Sequence, residues 1–156
     1  MAESTKTVAE SRCEMSEIVL PNDTNSLGNL MGGRLLHWID ICASISSQRH
    51  AGSACVTVGV DEVDFKSAIR QGEIVILESQ INRAFRTSME VEINVWAENP
   101  REGTKRKCNR AFFTFVAIGP DSRPRPVPSL ELLSDEEKER HDSAGRRREL
   151  RLSHSS

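Results

Sequence analysis

One stretch, residues 32–50, decides the fold, and it reads GGRLLHWIDICASISSQRH. Its apolar residues recur at helical spacing, which predicts an α-helix that begins at Arg34 and ends at His50. Gly52 follows as a plausible C-terminal cap. A helix that is apolar over so much of its circumference is expected to be largely buried. Its main apolar stripe is Leu35, Leu36, Ile39, Ala43 and Ser46, with Trp38, Ile41, Cys42 and Ile45 beside it.

Outside this helix the apolar period changes to two, which predicts β-strands. One short strand is expected before the helix, at residues 15–20. After the helix, residues 56–60 alternate, but Val63 and Phe65 continue the alternation out of step. This slip predicts a β-bulge near residues 61–62. Three further strands are predicted, at residues 73–81, 88–98 and 111–118.

The order of these elements predicts an α+β fold. Consecutive strands with short connections are expected to pair antiparallel. A single sheet needs a cover on its apolar face, and the long apolar helix is the element that can supply it. We therefore expect an antiparallel β-sheet wrapped around a long central α-helix. Periodicity alone does not give the order of the strands.

The chain divides into three predicted regions. Residues 1–11 are polar and mixed in charge, and are expected to be a flexible leader. Residues 12–119 form the single predicted domain. Residues 120–156 begin with a proline-rich linker and end in a charged helix, whose start is marked by the capping box of Ser134 and Glu137. That helix is acidic at its start and basic at its end, which suits the helix dipole.

The composition argues against several classes of function. The chain has 156 residues, a formal net charge of −2, 4% aromatic residues and no tyrosine, so we expect no nucleic-acid binding. No apolar run is long enough to span a membrane, and no signal-peptide pattern is present, so membrane insertion is not expected. The four cysteines form no CxxC pair and no zinc pattern. They predict reduced thiols, no metal site and a cytoplasmic protein.

Asp40 is the first candidate for chemistry, because it is the only charged residue between Arg34 and Arg49. Burial of an unpaired carboxylate is expensive, so such a residue needs a reason to be there. It can belong to a solvent-facing stripe or line a wet active-site cleft, and spacing alone leaves both readings open. The residues that share its helical face are Arg34, His37, Ser44 and Ser47.

Two neighbouring features fit the cleft reading. Gly32 and Gly33 would leave the first, unpaired N–H groups of the helix open to a developing oxyanion, although a plain tight turn explains them equally well. Asn25 lies in a turn-rich segment, where asparagine usually serves the turn geometry. Taken together, however, Asn25 supplies a polar positioner, Gly32-Gly33 an oxyanion site and Asp40 a base. The attack of water on an acyl group requires these three roles.

Arg86, Thr87 and Ser88 open the cleanest strand. A guanidinium beside two hydroxyls can bind a phosphate. A polar entrance to a strand is the simpler interpretation of the same spacing.

Several of these segments together resemble the hotdog-fold acyl-CoA thioesterases, which include the YciA-like and the cytosolic acyl-CoA hydrolase-like enzymes. Residues 21–28 read PNDTNSLG, and Gly32-Gly33 and the run LLHWID at 35–40 follow. The likeness covers about residues 15–150. The motifs are specific in combination, whereas the individual segments are not. Its further segments are CVT at 55–57, VD at 60–61, VDF at 63–65, RAFRTSMEV at 83–91 and AFFTFVA at 111–117.

The resemblance implies a hotdog fold and hydrolysis of fatty acyl-CoA to free acid and CoA. Asp40 matches the catalytic carboxylate, as general base or nucleophile, and Asn25 matches the residue that positions water or thioester. The N–H of Gly33 would polarise the carbonyl, beside Gly32. The family also implies a homodimer with sites shared between subunits, assembled as a trimer of dimers, and no cofactor or metal.

Contacts to CoA are implied less directly. Arg86, Thr87 and Ser88 are the best matches, and Lys66 is a weaker one. Many relatives have a histidine before the two glycines, where this chain has Met31. We expect this difference to affect the acyl preference.

Two rival functions share the hotdog fold. Acyl-thioester hydratases resemble one another in pairing a histidine with an acidic residue, whereas the turn here offers Asn25. Non-catalytic acyl-CoA sensors carry a DNA-binding region ahead of the domain, for which the leader here is too short and polar. The presence of both Asn25 and Asp40 favours hydrolysis.

Overall fold

A five-stranded antiparallel sheet and one long helix form the body of the protein, whose computed structural model describes residues 4–65 and 67–154. A 3-10 turn at Pro21–Asp23 leads from the first sheet strand towards the long helix. The elements in chain order are β1 Thr5–Thr7, α1 Val8–Ser11, β2 Cys13–Ile18, α2 Gly32–Ala51, β3 Ala54–Asp61, β4 Ile74–Ala84, β5 Ser88–Asn99, β6 Thr104–Ile118, β7 Ser129–Glu131 and α3 Asp135–His154.

The strand order in the main sheet is β2–β4–β5–β6–β3, with every pair antiparallel. Helix α2 contacts all five strands, so the hotdog arrangement predicted from resemblance is confirmed. Consecutive pairing holds for β4, β5 and β6. Strand β3 instead crosses to the far edge and pairs with β6, because α2 lies between β2 and β3 in the chain and separates them.

The core lies between α2 and the inner face of the sheet. Strand β5 shows the alternation that the sequence predicted, since its inward residues are all fully buried: Met89, Val91, Ile93, Val95 and Ala97. On the helix, Ile39, Cys42 and Ala43 are equally buried. Burial of one large apolar side chain stabilises the fold by about 1.5–3 kcal/mol, so this layer carries most of the favourable free energy.

Helix α2 spans Gly32–Ala51, so it begins two residues before the predicted start at Arg34. Gly52 ends it as predicted. Its φ of 69° is left-handed, and its N–H donates to the carbonyl oxygen of Gln48 at 2.8 Å. Within the described residues, no helix is both long and apolar enough to cross a membrane.

The β-bulge is real, but its predicted position at residues 61–62 is wrong. The register between β3 and β6 shifts between Thr57 and Gly59, so Val58 is the extra residue. Glu62 instead follows the end of β3 with a left-handed φ of 54°. The chain therefore turns away from the sheet at the position where the sequence pattern suggested an interrupted strand.

Both ends of the chain contain regular structure. Within the predicted flexible leader, residues 5–11 form β1 and α1, and Val8 is only 2% exposed. Strand β1 pairs in parallel with β7, so the leader and the segment after the proline-rich linker hold each other. Helix α3 begins with the predicted cap, since the Glu137 N–H donates to Ser134 Oγ at 3.1 Å. It then packs on the outer face of the sheet.

Candidate active site

Asp40 lies halfway along α2, where the helix faces edge strand β3. The Thr57 hydroxyl donates to Asp40 Oδ1 at 2.7 Å. Thr57 faces the helix because it pairs with Phe115, a core residue. One oxygen of the half-buried carboxylate is thereby fixed, and the other has no hydrogen-bond partner among the described residues. Sequence reasoning did not predict Thr57, because the contact depends on how the helix packs on the strand.

The start of α2 is open, as the two glycines suggested. A side chain at Gly33 would meet no atom within 4 Å, and one at Gly32 would lie 3.7 Å from the Phe65 ring. No side chain among the described residues caps this helix end. The Gly33 N–H therefore points from the positive end of the helix dipole without an acceptor in the described part of the chain.

Asp23, which sequence reasoning also missed, fixes this entrance. Its Oδ2 accepts the Leu20 N–H at 2.9 Å, and its Oδ1 lies 3.2 Å from Arg34 Nε. Its carbonyl oxygen also accepts the Met31 N–H at 2.9 Å. One buried aspartate thus ties the loop before α2 to the first turn of the helix.

Asn25 serves its turn, as asparagine commonly does. Its Oδ1 accepts the N–H groups of Leu27 at 2.9 Å and Asn29 at 3.2 Å. This use of the oxygen leaves the amide nitrogen as a donor without a partner among the described residues. Asn25 is exposed, and no described contact joins it to Asp40 in the same chain.

Gly33 and Asp40 lie on one face of α2, two turns apart. At 1.5 Å per residue their backbones are separated by roughly 10 Å along the helix axis. The structure thus places the carboxylate, the open N–H and the free amide at three separate points of a single chain.

The turn between β4 and β5 holds the predicted phosphate-binding residues. Met89 pairs with Phe115, which pairs with Thr57, so the turn lies at the same end of the sheet as Asp40. Two strand spacings, roughly 10 Å, separate Thr57 on β3 from Met89 on β5. Ser88 alternates with inward-facing Met89 and therefore faces away from α2. Lys66, the weaker candidate, lies outside the described residues.

The four cysteines are free. Burial raises the pKa of the Cys42 thiol to about 12 and also raises that of Cys55. Such thiols are poor nucleophiles at neutral pH. The described residues also contain no cluster of three potential metal ligands. Asp40 therefore stays the candidate reactive group of this region.

Three comparisons with known proteins bear on this arrangement. Residues 27–104 match the family model described as the thioesterase superfamily. The mouse protein acyl-coenzyme A thioesterase 11 is 40% identical over 139 residues, which cover 89% of this chain and 23% of the mouse protein. The chain spans about a quarter of the length of this mouse protein and of two acetyl-coenzyme A thioesterases, from mouse and rat, that it also matches.

Solved structures match over almost the whole length. A hexameric acyl-CoA thioesterase crystallised in its apo form superposes with a TM-score of 0.94 at 37% identity, covering 98% of both chains. An acyl-CoA hydrolase from Staphylococcus aureus, solved with butyryl coenzyme A, coenzyme A and coenzyme A disulfide, superposes at 0.89 with 32% identity, covering 96% of this chain and 91% of that one.

The Staphylococcus aureus enzyme has also been solved as three alanine variants. They replace an asparagine, an aspartate and a threonine. The three positions follow one another at the same intervals as Asn25, Asp40 and Thr57 in this chain. The order and spacing coincide with Asn25 and Asp40, which the sequence singled out, and with Thr57, which the structure places against Asp40.

Proposed function

Because this chain belongs to the thioesterase superfamily, we propose that it hydrolyses fatty acyl-CoA thioesters to a free acid and CoA. The observation that carries the proposal is the hydrogen bond from Thr57 to Asp40 Oδ1. It holds a carboxylate at the edge of a buried helix with one oxygen left for water. The names of the matched relatives and structures support the same reaction.

In the proposed reaction Asp40 is the general base. Its free oxygen accepts a proton from water while the water oxygen attacks the thioester carbonyl carbon. The carbon–sulfur bond then breaks as the tetrahedral intermediate collapses. The departing CoA sulfur recovers the proton, which leaves the carboxylic acid and a regenerated carboxylate.

Two donors stabilise the charge that develops on the carbonyl oxygen. The Gly33 N–H has open space around it and lies at the positive end of α2, so it fits an oxyanion donor. The Asn25 amide, whose oxygen is occupied by its own turn, can donate to the thioester or hold the water. Gly32 keeps the approach to these donors free of a side chain.

We propose that the complete site needs two chains, because Asn25 and Asp40 are not joined within one. Strand β3 is the natural contact, since it is an edge strand with exposed Val56, Val58 and Val60 next to Thr57. An exposed apolar edge strand usually marks an interface. The proposed assembly is a homodimer, built into a trimer of dimers as the hexameric structural neighbour suggests.

We further propose a cytoplasmic location. Four unpaired cysteines are compatible with a reducing compartment, where thiols persist.

Thiol release from a panel of acyl-CoAs tests the reaction. Asp40→Asn keeps an acceptor for Thr57 but removes the base, so we expect kcat to fall about 10²–10⁴-fold without loss of fold. Asp135→Asn, an exposed change at the start of α3, is the matched control and should keep wild-type kcat. A folded Asp40→Asn protein with full activity would refute the assignment. CoA binding without any hydrolysis would favour the sensor function.

Complementation tests the shared site. Asn25→Ala and Asp40→Asn should each be nearly inactive alone. If the two residues act across an interface, mixed dimers contain one intact site, and an unfolded and refolded equimolar mixture should recover about a quarter of wild-type activity. No recovery, with mixed dimers shown by mass spectrometry, would place both residues in one chain's site.

Isotope labelling separates the base from the nucleophile. In a single turnover in ¹⁸O water, a general base puts the label into the product acid at once. Nucleophilic attack by Asp40 would form an acyl-aspartyl anhydride, and attack of water on its aspartyl carbonyl would put the label into the Asp40 carboxylate. Label in the Asp40 peptide, measured by mass spectrometry, would therefore show the nucleophilic route.

A further inference from the structure

An exposed aromatic side chain lies against the open start of α2, and the proposed mechanism does not use it. Three atoms of the Phe65 ring lie between 3.7 and 3.9 Å from the position that a Cβ on Gly32 would occupy. The ring is nevertheless 48% exposed. Gly33, the proposed oxyanion donor, is the next residue of the helix, and a Cβ on it would meet no atom within 4 Å. Phe65 therefore borders the space in which a thioester carbonyl bound to Gly33 would lie.

The segment that carries this ring is held on both sides of it. Before the ring, Asn109 Nδ2 donates a hydrogen bond to the Asp64 carbonyl oxygen. After the ring, the Ile69 carbonyl oxygen accepts the N–H of Leu30 at 2.7 Å, and Leu30 belongs to the loop that enters α2. Because the backbone is fixed at both points, the position of the ring beside the helix start is a property of the fold.

Asn109 is an unusual residue for its place in the sheet. It pairs with Val95, which is fully buried on the inner face, and it is itself only 4% exposed. Its Oδ1 has no partner among the described residues. A buried carboxamide with an unmatched oxygen costs free energy that an apolar side chain would not cost. The hydrogen bond to Asp64 is the contact that an apolar residue could not make, so Asn109 positions the segment of Phe65.

The distances at the helix start put the ring within reach of the reacting end of a substrate. When a thioester oxygen accepts the Gly33 N–H, the sulfur and the acyl C2 atom lie within about 5 Å of that nitrogen. The ring lies 3.7 Å from a Cβ position that is only three bonds from the same nitrogen. An acyl chain is apolar, whereas the pantetheine arm beyond the sulfur carries amide groups. Covering the exposed ring with the acyl chain is therefore the more favourable of the two contacts.

We propose that Phe65, positioned by Asn109, packs against acyl C2 and determines specificity against branching at that carbon; this inference rests on the proposed function. A straight chain presents only hydrogens at C2 and can lie along the ring. A methyl branch at C2 would compete with the ring for the same space, and the two backbone anchors oppose movement of the ring. A difference of one methyl group in such a contact changes kcat/KM by about 10–200-fold.

Hydrolysis of methyl-branched acyl-CoAs tests this inference. The best straight-chain substrate from butyryl-CoA upwards is compared with its 2-methyl derivative and with its terminally branched derivative. The 2-methyl derivative should lower kcat/KM at least about tenfold with wild type and less than about threefold with Phe65→Ala. Phe65→Trp, which enlarges the ring, should increase the discrimination. The terminally branched derivative should show the same ratio to the straight chain in all three proteins.

Two further variants separate the ring from its surroundings. Leu133→Ala is the matched control, because it removes another large apolar side chain that is 65% exposed, in the segment before α3. It should keep the wild-type ratio. Asn109→Leu removes the anchor and leaves the ring, so it should weaken the discrimination, and its addition to Phe65→Ala should change the ratio no further. A residue with a merely structural role would change stability but not this ratio.

Each other outcome is decisive. A wild-type ratio near one, an unchanged ratio in folded Phe65→Ala, or an equal loss with straight and branched substrates would overturn the inference. So would a Phe65→Ala protein that light scattering shows to be dissociated, because the ring would then be a subunit contact. Wild type that hydrolyses no acyl-CoA would reject the proposed function and this inference with it. Turnover of the straight chain with an unchanged ratio would reject the inference alone.

Discussion

The two faces of the sheet are both buried, but by opposite chemistry. On the inner face α2 covers apolar side chains, and the hydrophobic effect holds the layer together. On the outer face α3 covers Glu90 and Glu92, which are only 1% and 4% exposed. Arg147 binds Glu90 through two hydrogen bonds at 2.7 and 2.8 Å. A strand can therefore bury both faces while its sequence still alternates between apolar and charged residues.

The outer face depends on complete pairing. Asn82 donates to both Glu90 and Glu92 at 3.0 Å, so the two carboxylates share one amide. Burial alone would lower the pKa of Arg147, but the hydrogen bonds and charge of Glu90 raise it above the ordinary value. A buried pair of this kind is costly to break, although it adds little compared with apolar packing.

The largest expected effect comes from breaking that pair. Arg147→Met leaves the Glu90 charge buried and should lower the free energy of unfolding by about 3–5 kcal/mol. Urea denaturation at one fixed protein concentration measures it. The double variant Glu90→Leu with Arg147→Met should recover most of the loss, since no charge is then buried. A double variant as unstable as the single one would show that packing, not charge, holds α3.

On the inner face a cavity should cost slightly less. Ile39 is fully buried beneath the sheet, so Ile39→Ala should lower the free energy of unfolding by about 2–5 kcal/mol. Leu150→Ala is the control on α3, where the side chain is 61% exposed, and should change it by less than about 0.5 kcal/mol. Equal losses from the two variants, in the same urea experiment, would contradict the assignment of the core.

A titratable group at the end of α2 gives the inner side its own pH dependence. His50 is fully buried, and its Nε2 lies 2.8 Å from the Pro128 carbonyl oxygen, while Nδ1 has no partner among the described residues. Burial lowers its pKa below the ordinary 6.5, and the charge of Lys6 lowers it too, against the hydrogen bond to Pro128 and the charge of Glu10. The unfolded chain therefore takes up a proton first as the pH falls. The stability contributed by neutral His50 is complete above 6.5 and is lost below it.

Urea denaturation between about pH 7.5 and 5.5 should show a loss of about 1 kcal/mol that His50→Gln does not show. An identical pH slope in both proteins would assign the effect to another group.

The smallest expected effect tests how closely α3 approaches the sheet. Gly145→Ala gains about 1 kcal/mol of helix propensity but pushes the Arg83 guanidinium aside. We expect the melting temperature to change little. In an Arg83→Gln background the same change should be clearly stabilising, because the obstruction is gone. An equal rise in melting temperature in both backgrounds would show that the Arg83 guanidinium does not obstruct a side chain at position 145.

Much of the site could be predicted and part of it could not. Asp40 is conspicuous because a lone carboxylate in an apolar helix needs a partner, and Gly32-Gly33 marks an open helix start. Thr57 could not be derived from spacing, since it meets Asp40 only when β3 crosses to the edge beside β6. Phe65 meets Gly32 only through the fold, and no local pattern links the two residues.

The sequence by itself determined α2, α3, the strands of the main sheet and the buried stripe of α2, because apolar periodicity acts over a few residues and reports directly on burial. It also specified Gly52 as the helix end, since a left-handed residue at that position favours glycine. Only the tertiary structure decided the strand order, the ion pairs beneath α3 and the placement of Asn25 away from Asp40. These features depend on contacts between segments that are distant in the chain. The loop-closure entropy that such contacts cost, and the free energy that they contribute, cannot be inferred from any local stretch of sequence.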